Sequence, residues 1–420
     1  MSDAFSLPPQ IMRGLQLKDL GRYADAENAF SEALAQEPND AFALHQLAAC
    51  QIHQPQRQRD ALATIDRAIA LEPNDADHHL LRSYILSICD RPKDGLAAAQ
   101  TALGLDPHHS GAFTAEAQAH LQMEQWLLAE QSARQALALD ADNSAAANQL
   151  AQALRLQNKL AENAAHLAGL LARDPENPFT HSNAGWAALQ RGSCLEAETH
   201  FREALRLDPD FEPAREGLLT SFRARSPVFR AYLRYCFFMQ RLSRGSRWAV
   251  VLGLYFGVKV ARYIPGGIAL VALYMLFVLW VWVAKPIGNF FLLFDSFARY
   301  ALRENEKREA AAVGTALGLG FTALIAGLSL SSEGALLAGM GLIAASFPLS
   351  MTFTNGSRPG SWLFGTLAAL TLLGVALALL APYVPFLNHE AAMQIFTVGA
   401  IGCLASTWLG NIRALRRPVE

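Results

Sequence analysis

A period of 34 residues constrains this chain more than any other feature in it. Residues 178–210, PFTHSNAGWAALQRGSCLEAETHFREALRLDPD, read as two helices and a turn that end on Pro209. The proline position recurs upstream as Pro175, Ala141, Pro107, Pro73 and Pro38, at steps of 34 residues and once of 35. An anchor column on the second helix runs Phe201, Leu167, Ala133, Ala99, Ile65 and Phe30, and a small-residue column beside it runs Ala204, Leu170, Ala136, Ala102, Ala68 and Ala33. A short helical pair cannot bury its apolar face alone, so its backbones must approach and it must stack on copies of itself. Small residues accordingly stand where the helices cross. They are Gly14, Ala48, Ser83, Ala117, Ala151 and Gly185 on the first helices, and Ala26, Ala61, Gly95, Ala129, Asn163 and Ala197 on the second. Asn163, Leu170 and Ala141 depart from their columns, which predicts looser packing around the fifth pair. An Asn or Asp following the proline supplies the next helix's N-cap, most clearly in Asn177-Pro178.

These columns resemble the tetratricopeptide repeat family over residues 7–210. The resemblance implies an all-α superhelix of six helical hairpins, with Phe211–Arg225 as a terminal capping helix. It also implies that the first helices line a concave groove holding an extended or helical peptide. On that geometry the lining is His45, Gln46, His53, Tyr84, Gln118, Gln122, Asn148, Gln149, Gln152, Arg155, Asn183, Trp186 and Gln190. Side-chain amides both donate and accept, so this lining suits the main chain of a protein or peptide partner. It lacks the Lys and Asn pattern with which chaperone-binding members of the family hold a C-terminal carboxylate.

The two halves of the chain differ in charge. Residues 1–225 hold 19 Lys and Arg against 30 Asp and Glu, whereas residues 226–420 hold 16 against 7. An acidic repeat array argues against nucleic acid as a partner. The basic half carries apolar runs at 248–264, 267–284, 311–330, 334–354, 361–381 and 392–411. They read as a transmembrane bundle of about six spans, the first two short enough to form a shallow hairpin instead. Gly314 and Gly318, with Gly327, Gly339, Gly341 and Gly365, suggest close helix contact within it.

The expected organisation is a tail over 1–6, a solenoid with its cap over 7–225, a basic interfacial helix over 226–247, and a membrane domain over 248–420 with a second interfacial helix at 286–310. Arg230, Arg234, Arg241 and Arg244 share one face of the basic helix beside Phe229, Tyr232, Leu233 and Phe237, a composition suited to membrane lipid. Positive charge before the first span, after the second and fourth, and in the tail (Arg413, Arg416, Arg417) places the repeats and the C-terminus in the cytoplasm. Lys259 and Arg262 run against that pattern and are expected to snorkel. The stretch at 286–310 resembles segments of bacterial membrane proteins that carry cytoplasmic repeats, which implies an inner-membrane location.

Chemistry is hard to find. No phosphate loop, dinucleotide fingerprint, nucleophile elbow or HExxH motif occurs. His78-His79 and His108-His109 lie near neighbouring turns, but no cysteine joins them and turn positions favour solvated polar residues, so no metal is expected. Ionisable residues at membrane depth are scarce: Lys259, Glu333 and His389 sit near span ends and Asp295 in the interfacial stretch. Five scattered cysteines fit a reducing compartment, and residues 1–30 lack a signal peptide's basic start and apolar core. The expectation is a non-enzymatic, cofactor-free scaffold that recruits a protein to the membrane. The competing expectation is a transporter or channel regulated by its repeats. The sequence carries no signal for oligomeric state.

Overall fold

The computed structural model describes residues 7–409 apart from 55, 243, 262, 265, 381–382 and 385–388. The tail over 1–6, Arg262, Arg413, Arg416 and Arg417 thus lie outside the described residues. Six helical pairs come first: α1 Pro9–Asp19 with α2 Tyr23–Gln36, α3 Ala41–Ile52 with α4 Gln58–Leu71, α5 Ala76–Ile88 with α6 Pro92–Leu105, α7 Ser110–Gln122 with α8 Trp126–Leu139, α9 Ser144–Leu156 with α10 Leu160–Arg173, and α11 Pro178–Arg191 with α12 Cys194–Leu207. There follow α13 Glu212–Arg223, α14 Pro227–Arg241, α15 Arg244–Ala261, α16 Gly267–Leu292, a 3-10 turn Ala298–Tyr300, α17 Glu304–Leu330, α18 Glu333–Phe353, α19 Arg358–Leu380 and α20 His389–Leu409. By packing the chain divides into two compact units. One holds α1–α11; the other holds most of α12, then α13 and α16–α20, with α14 and α15 each divided between them.

In the first unit, helices of 11 to 14 residues are too short to persist alone in water. Their packing decides the fold. Ala26, Ala48, Ala61, Ala99, Ala117, Ala129, Ala133 and Ala136 are buried, and so are the anchors Phe30 and Ile65. Each bulky anchor contributes roughly 1.5–3 kcal/mol through removal from water. At the first crossing a Cβ added to Gly14 would lie 2.6 Å from the Phe30 ring. At the third, Ser83 donates to the Gly95 carbonyl at 2.7 Å. Caps form where the sequence places them: Asp40 accepts from the Ala43 N–H at 2.9 Å, Asn143 from Ala146 at 2.9 Å and Asn177 from Thr180 at 3.1 Å. The fifth pair carries an irregularity: Asn163 is buried, and neither its amide oxygen nor its nitrogen has a hydrogen-bond partner.

The turn inside each pair follows a rule the residue types conceal. Gly21, Gln56, Asp90, Glu124, Asn158 and Gly192 all have φ between 59° and 89°. A left-handed residue at this point lets the following N–H reach back to the helix. Arg22 bonds to the Leu17 carbonyl, Arg91 to Leu86, Gln125 to His120 and Lys159 to Leu154, each at 2.9 Å. Only two of the six positions are glycine.

In the second unit, α17 packs on α18, α18 on α19 and α19 on α20, while α16 lies against α17. Among the described residues four helices are long and apolar enough to cross a membrane: Gly267–Leu292, Glu304–Leu330, Glu333–Phe353 and Arg358–Leu380. The expected first span lies in α15, whose 18 residues include Arg244, Arg247 and Lys259, and the expected last span lies in α20; neither is among the four. The second expected span is not short. It continues through Pro286 into a helix of 26 residues. A proline is tolerated within such a helix because neighbouring groups re-satisfy the freed carbonyl.

No single helix covers 286–310. Asp295 breaks the chain there by accepting from the N–H groups of Phe297 and Ala298, both at 2.9 Å, and α17 begins where the Arg303 N–H donates to Glu306 at 2.9 Å. The basic stretch over 226–247 is likewise two helices, with Arg230, Arg234 and Arg241 on α14 and Arg244 on α15. The glycines also sort differently. Gly314 faces the Phe290 ring, but Gly318 faces open space, and it is Gly339 that meets the Gly320 carbonyl, 2.8 Å from an added Cβ.

Candidate functional site

The first helices form a layer, with α1, α3, α5, α7, α9 and α11 each packed on the next. The sequence-expected groove residues lie on α3 to α11 or at their ends, and most are half-buried. Several reach each other across repeats. Gln149 donates to Gln118 at 3.2 Å, Asn183 to the Asn148 side chain at 3.0 Å and carbonyl at 3.2 Å, and Gln190 to the Arg155 carbonyl at 3.3 Å. Gln122 donates to the Ser87 carbonyl at 3.2 Å, and Gln46 accepts from Lys18 at 2.6 Å. The amides therefore bind neighbouring helices into one layer; an amide engaged through one N–H still keeps a second donor. His53 stands at the end of α3, its ring stacked on Tyr23 with centroids 4.2 Å apart.

Tyr84, Gln152, Arg155 and Trp186 are half-buried on the same layer. Burial pushes the Tyr84 phenol up from its ordinary value and lowers the Arg155 guanidinium to about 10. The Nε of Arg155 is buried without a partner. His45 lies with its Nδ1 3.3 Å from Nδ1 of His78; burial, and then the His78 ring, lower its pKa to about 4.

A second constellation lies in the other unit and was not foreseen. The α13 helix behaves as a terminal cap on one side, where Gly217 receives the Phe201 ring. Its polar residues, however, meet the N-terminal end of α17 and the C-terminal end of α16. Arg215 donates to the Ala301 carbonyl at 2.8 Å and to Glu306 at 2.9 Å, and Arg303 reaches Glu212 at 3.1 Å. Glu216 pairs with Lys285 at 3.2 Å, and the buried Arg223 donates from Nε to Asn289 at 2.8 Å. The Arg215 hydrogen bond holds the Glu212 carboxyl below the usual carboxylate range, and Glu212 in turn raises Arg215. Further along α17, the buried Glu309 accepts from Ser350 of α18. On α14, Arg230, Arg234 and Arg241 are exposed, while Phe229, Leu233 and Phe237 are buried. The Arg244 side chain lies outside the described residues.

Residues 17–84 and 114–178 match the tetratricopeptide repeat family. Three solved structures illustrate the likeness. YrrB, described as a TPR protein with an unusual peptide-binding site, is 21% identical over 45% of this chain and 96% of its own, with a TM-score of 0.33. PilW, a type IV pilus biogenesis factor, is 18% identical over 50% of this chain and 96% of its own, with a TM-score of 0.44. A tetratricopeptide repeat protein from Parabacteroides merdae is 16% identical over 57% and 95%, with a TM-score of 0.43. Scores this low carry no weight for function, and the likeness in sequence is confined to the two matched segments. No curated protein matches this chain in sequence.

Sequence reasoning missed Arg215, Glu216, Arg223, Asn289, Glu306 and Glu309. The one available signal was the density of charge on α13, a helix that needed only a solvated outer face if it ended the array.

Proposed function

We propose that this chain is a membrane-anchored scaffold that holds a protein or peptide partner on the first-helix layer of its repeats. The observation that carries this reading is the strip of half-buried polar and aromatic side chains on successive first helices, including Tyr84, Gln152, Arg155 and Trp186. An amide-rich strip of this kind pairs with a peptide backbone, while Tyr and Trp supply contact area. Apolar helices then fix the repeats at a bilayer, with the repeats and C-terminus cytoplasmic and the exposed arginines of α14 against lipid headgroups. The chain needs no catalytic group for this role.

Photocrosslinking from position 84 or 186 in native membranes tests the reading. A discrete adduct that Gln152→Ala with Arg155→Ala abolishes is expected; absence of any adduct from either position would refute it. A second reading, in which the repeats govern activity in the apolar helices, draws support from the α13 contacts and the buried Glu309. Solute flux in reconstituted full-length protein, altered by Arg215→Ala, would favour it over the scaffold.

A further inference from the structure

The third residue after the N-cap is small and buried in α3, α7, α9, α11 and α13, while in α1 it is the larger Ile11. The small residues are Ala43, Ala112, Ala146, Thr180 and Ala214, each at most 4% exposed. In the third repeat it is His78, which is equally buried. A column kept small by packing here carries an imidazole, and that imidazole is incompletely satisfied. Its Nε2 is buried without a hydrogen-bond partner and lies 3.8 Å from the Glu72 carboxylate. Asp75, whose Oδ1 accepts the Asp77 N–H at 2.8 Å, places that oxygen 3.7 Å from the other ring nitrogen, Nδ1. One ligand atom from each of Glu72, Asp75 and His78 falls within 4.8 Å of the others.

We infer that Glu72, Asp75 and His78 form a binding site for a divalent first-row transition ion, zinc being the natural probe. A buried imidazole nitrogen left without a partner, with two carboxylates close to the ring, forms a donor set that a cation completes. A nitrogen and two carboxylate oxygens suit such an ion better than Mg2+, which prefers oxygen and water. Ligand-to-metal distances of about 2.0–2.2 Å require the three atoms to draw closer together. Glu72 is exposed and free to rotate inward, while His78 is held by burial. The other ring nitrogen has an acceptor within reach: with Nε2 on the ion, Nδ1–H donates to Nδ1 of His45, 3.3 Å away. The adjacent histidines are otherwise engaged, His79 with the Pro73 carbonyl and His109 with Asp77, both at 2.9 Å. The site spans the turn between α4 and α5 and reaches α3, so the ion would tie the second repeat to the third.

The test is calorimetric titration of chelator-stripped full-length protein in detergent micelles with ZnCl2, alongside three variants. His78→Ala restores the residue four other units carry, Asp75→Asn keeps a capping oxygen, and Glu72→Gln alters an exposed side chain. The wild type is expected to bind one equivalent of Zn2+ that His78→Ala loses. The two carboxylate variants should bind at least tenfold more weakly, and X-ray absorption of the loaded protein should show nitrogen and oxygen ligands. Lack of binding by the wild type overturns the inference. So does an unchanged isotherm in His78→Ala, or in Glu72→Gln if His78→Ala fails to fold, or a sulfur ligand in the absorption spectrum.

Discussion

The two units pack small residues for different reasons. In the repeats a glycine or alanine stands at each crossing because the 34-residue period brings the same two backbones together each time. In the apolar unit glycines are abundant, but only the local crossing decides which matter: Gly327 faces the Leu336 backbone nitrogen 2.7 Å from an added Cβ, whereas Gly318 meets nothing. Periodicity therefore identifies contact residues in one unit and composition fails to in the other. Paired substitutions sharpen this contrast. Gly14→Leu should cost about 3 kcal/mol, because the Phe30 ring cannot withdraw from a packed column. Gly318→Leu should be nearly neutral and Gly327→Leu disruptive. Thermal unfolding of the full-length protein in micelles orders the three, and equal effects from Gly318→Leu and Gly327→Leu would erase the distinction.

The charged contacts of α13 set a second contrast, since the repeat layer is joined by neutral amides and the cap by ion pairs. Arg215→Ala leaves Glu306 half-desolvated beside Glu212, and a loss of about 2 kcal/mol is expected. Hydrogen exchange should accelerate in α13 and at the start of α17 while α5 and α7 stay protected. The same contact gives a pH signature. Because Arg215 holds Glu212 below its ordinary 4.5, the stabilisation is complete above that pH and fades as the pH falls through the lower folded value. Arg215→Ala should flatten that part of the acid limb, and an unchanged profile would remove Glu212 from the account.

Much of the first unit was legible because burial, caps and crossings all repeat, so each copy checks the others. Asn163 shows the value of such a check. It broke a small-residue column, and the fold leaves its amide buried with no partner. Asn163→Ala should accordingly raise stability by roughly 1–2 kcal/mol, removing the desolvation penalty of an unpaired amide. A melting temperature below wild type would mean that the amide is satisfied in solution. That these polar residues fall on first helices was legible, but the cross-repeat bonds from Gln122, Asn183 and Gln190 were not. An amide on a helix face reads the same whether its partner is a ligand or the next helix. In the apolar unit the helix ends were the least legible part, because Asp295 and Glu306 act through local backbone geometry that hydropathy does not register.

The turn column gives the smallest effect and the finest test of the repeat logic. Four of its six left-handed positions hold residues with a side chain, and each carries the steric cost of φ near 60°. Gln56, at φ 65°, is exposed and has a glycine counterpart in Gly21 one repeat earlier and in Gly192 further on. Gln56→Gly relieves the strain but enlarges the freedom of the unfolded chain, so the two terms oppose. The geometry decides the sign: glycine at a helix-ending left-handed position is favoured because every other residue pays at that φ. A gain of about 0.5–1 kcal/mol is expected, read as a raised melting temperature, with Ala at the same position giving none of it. If Ala and Gly raise stability equally, the side chain rather than the backbone angle was the burden, and the turn column would be a consequence of packing rather than a requirement of it.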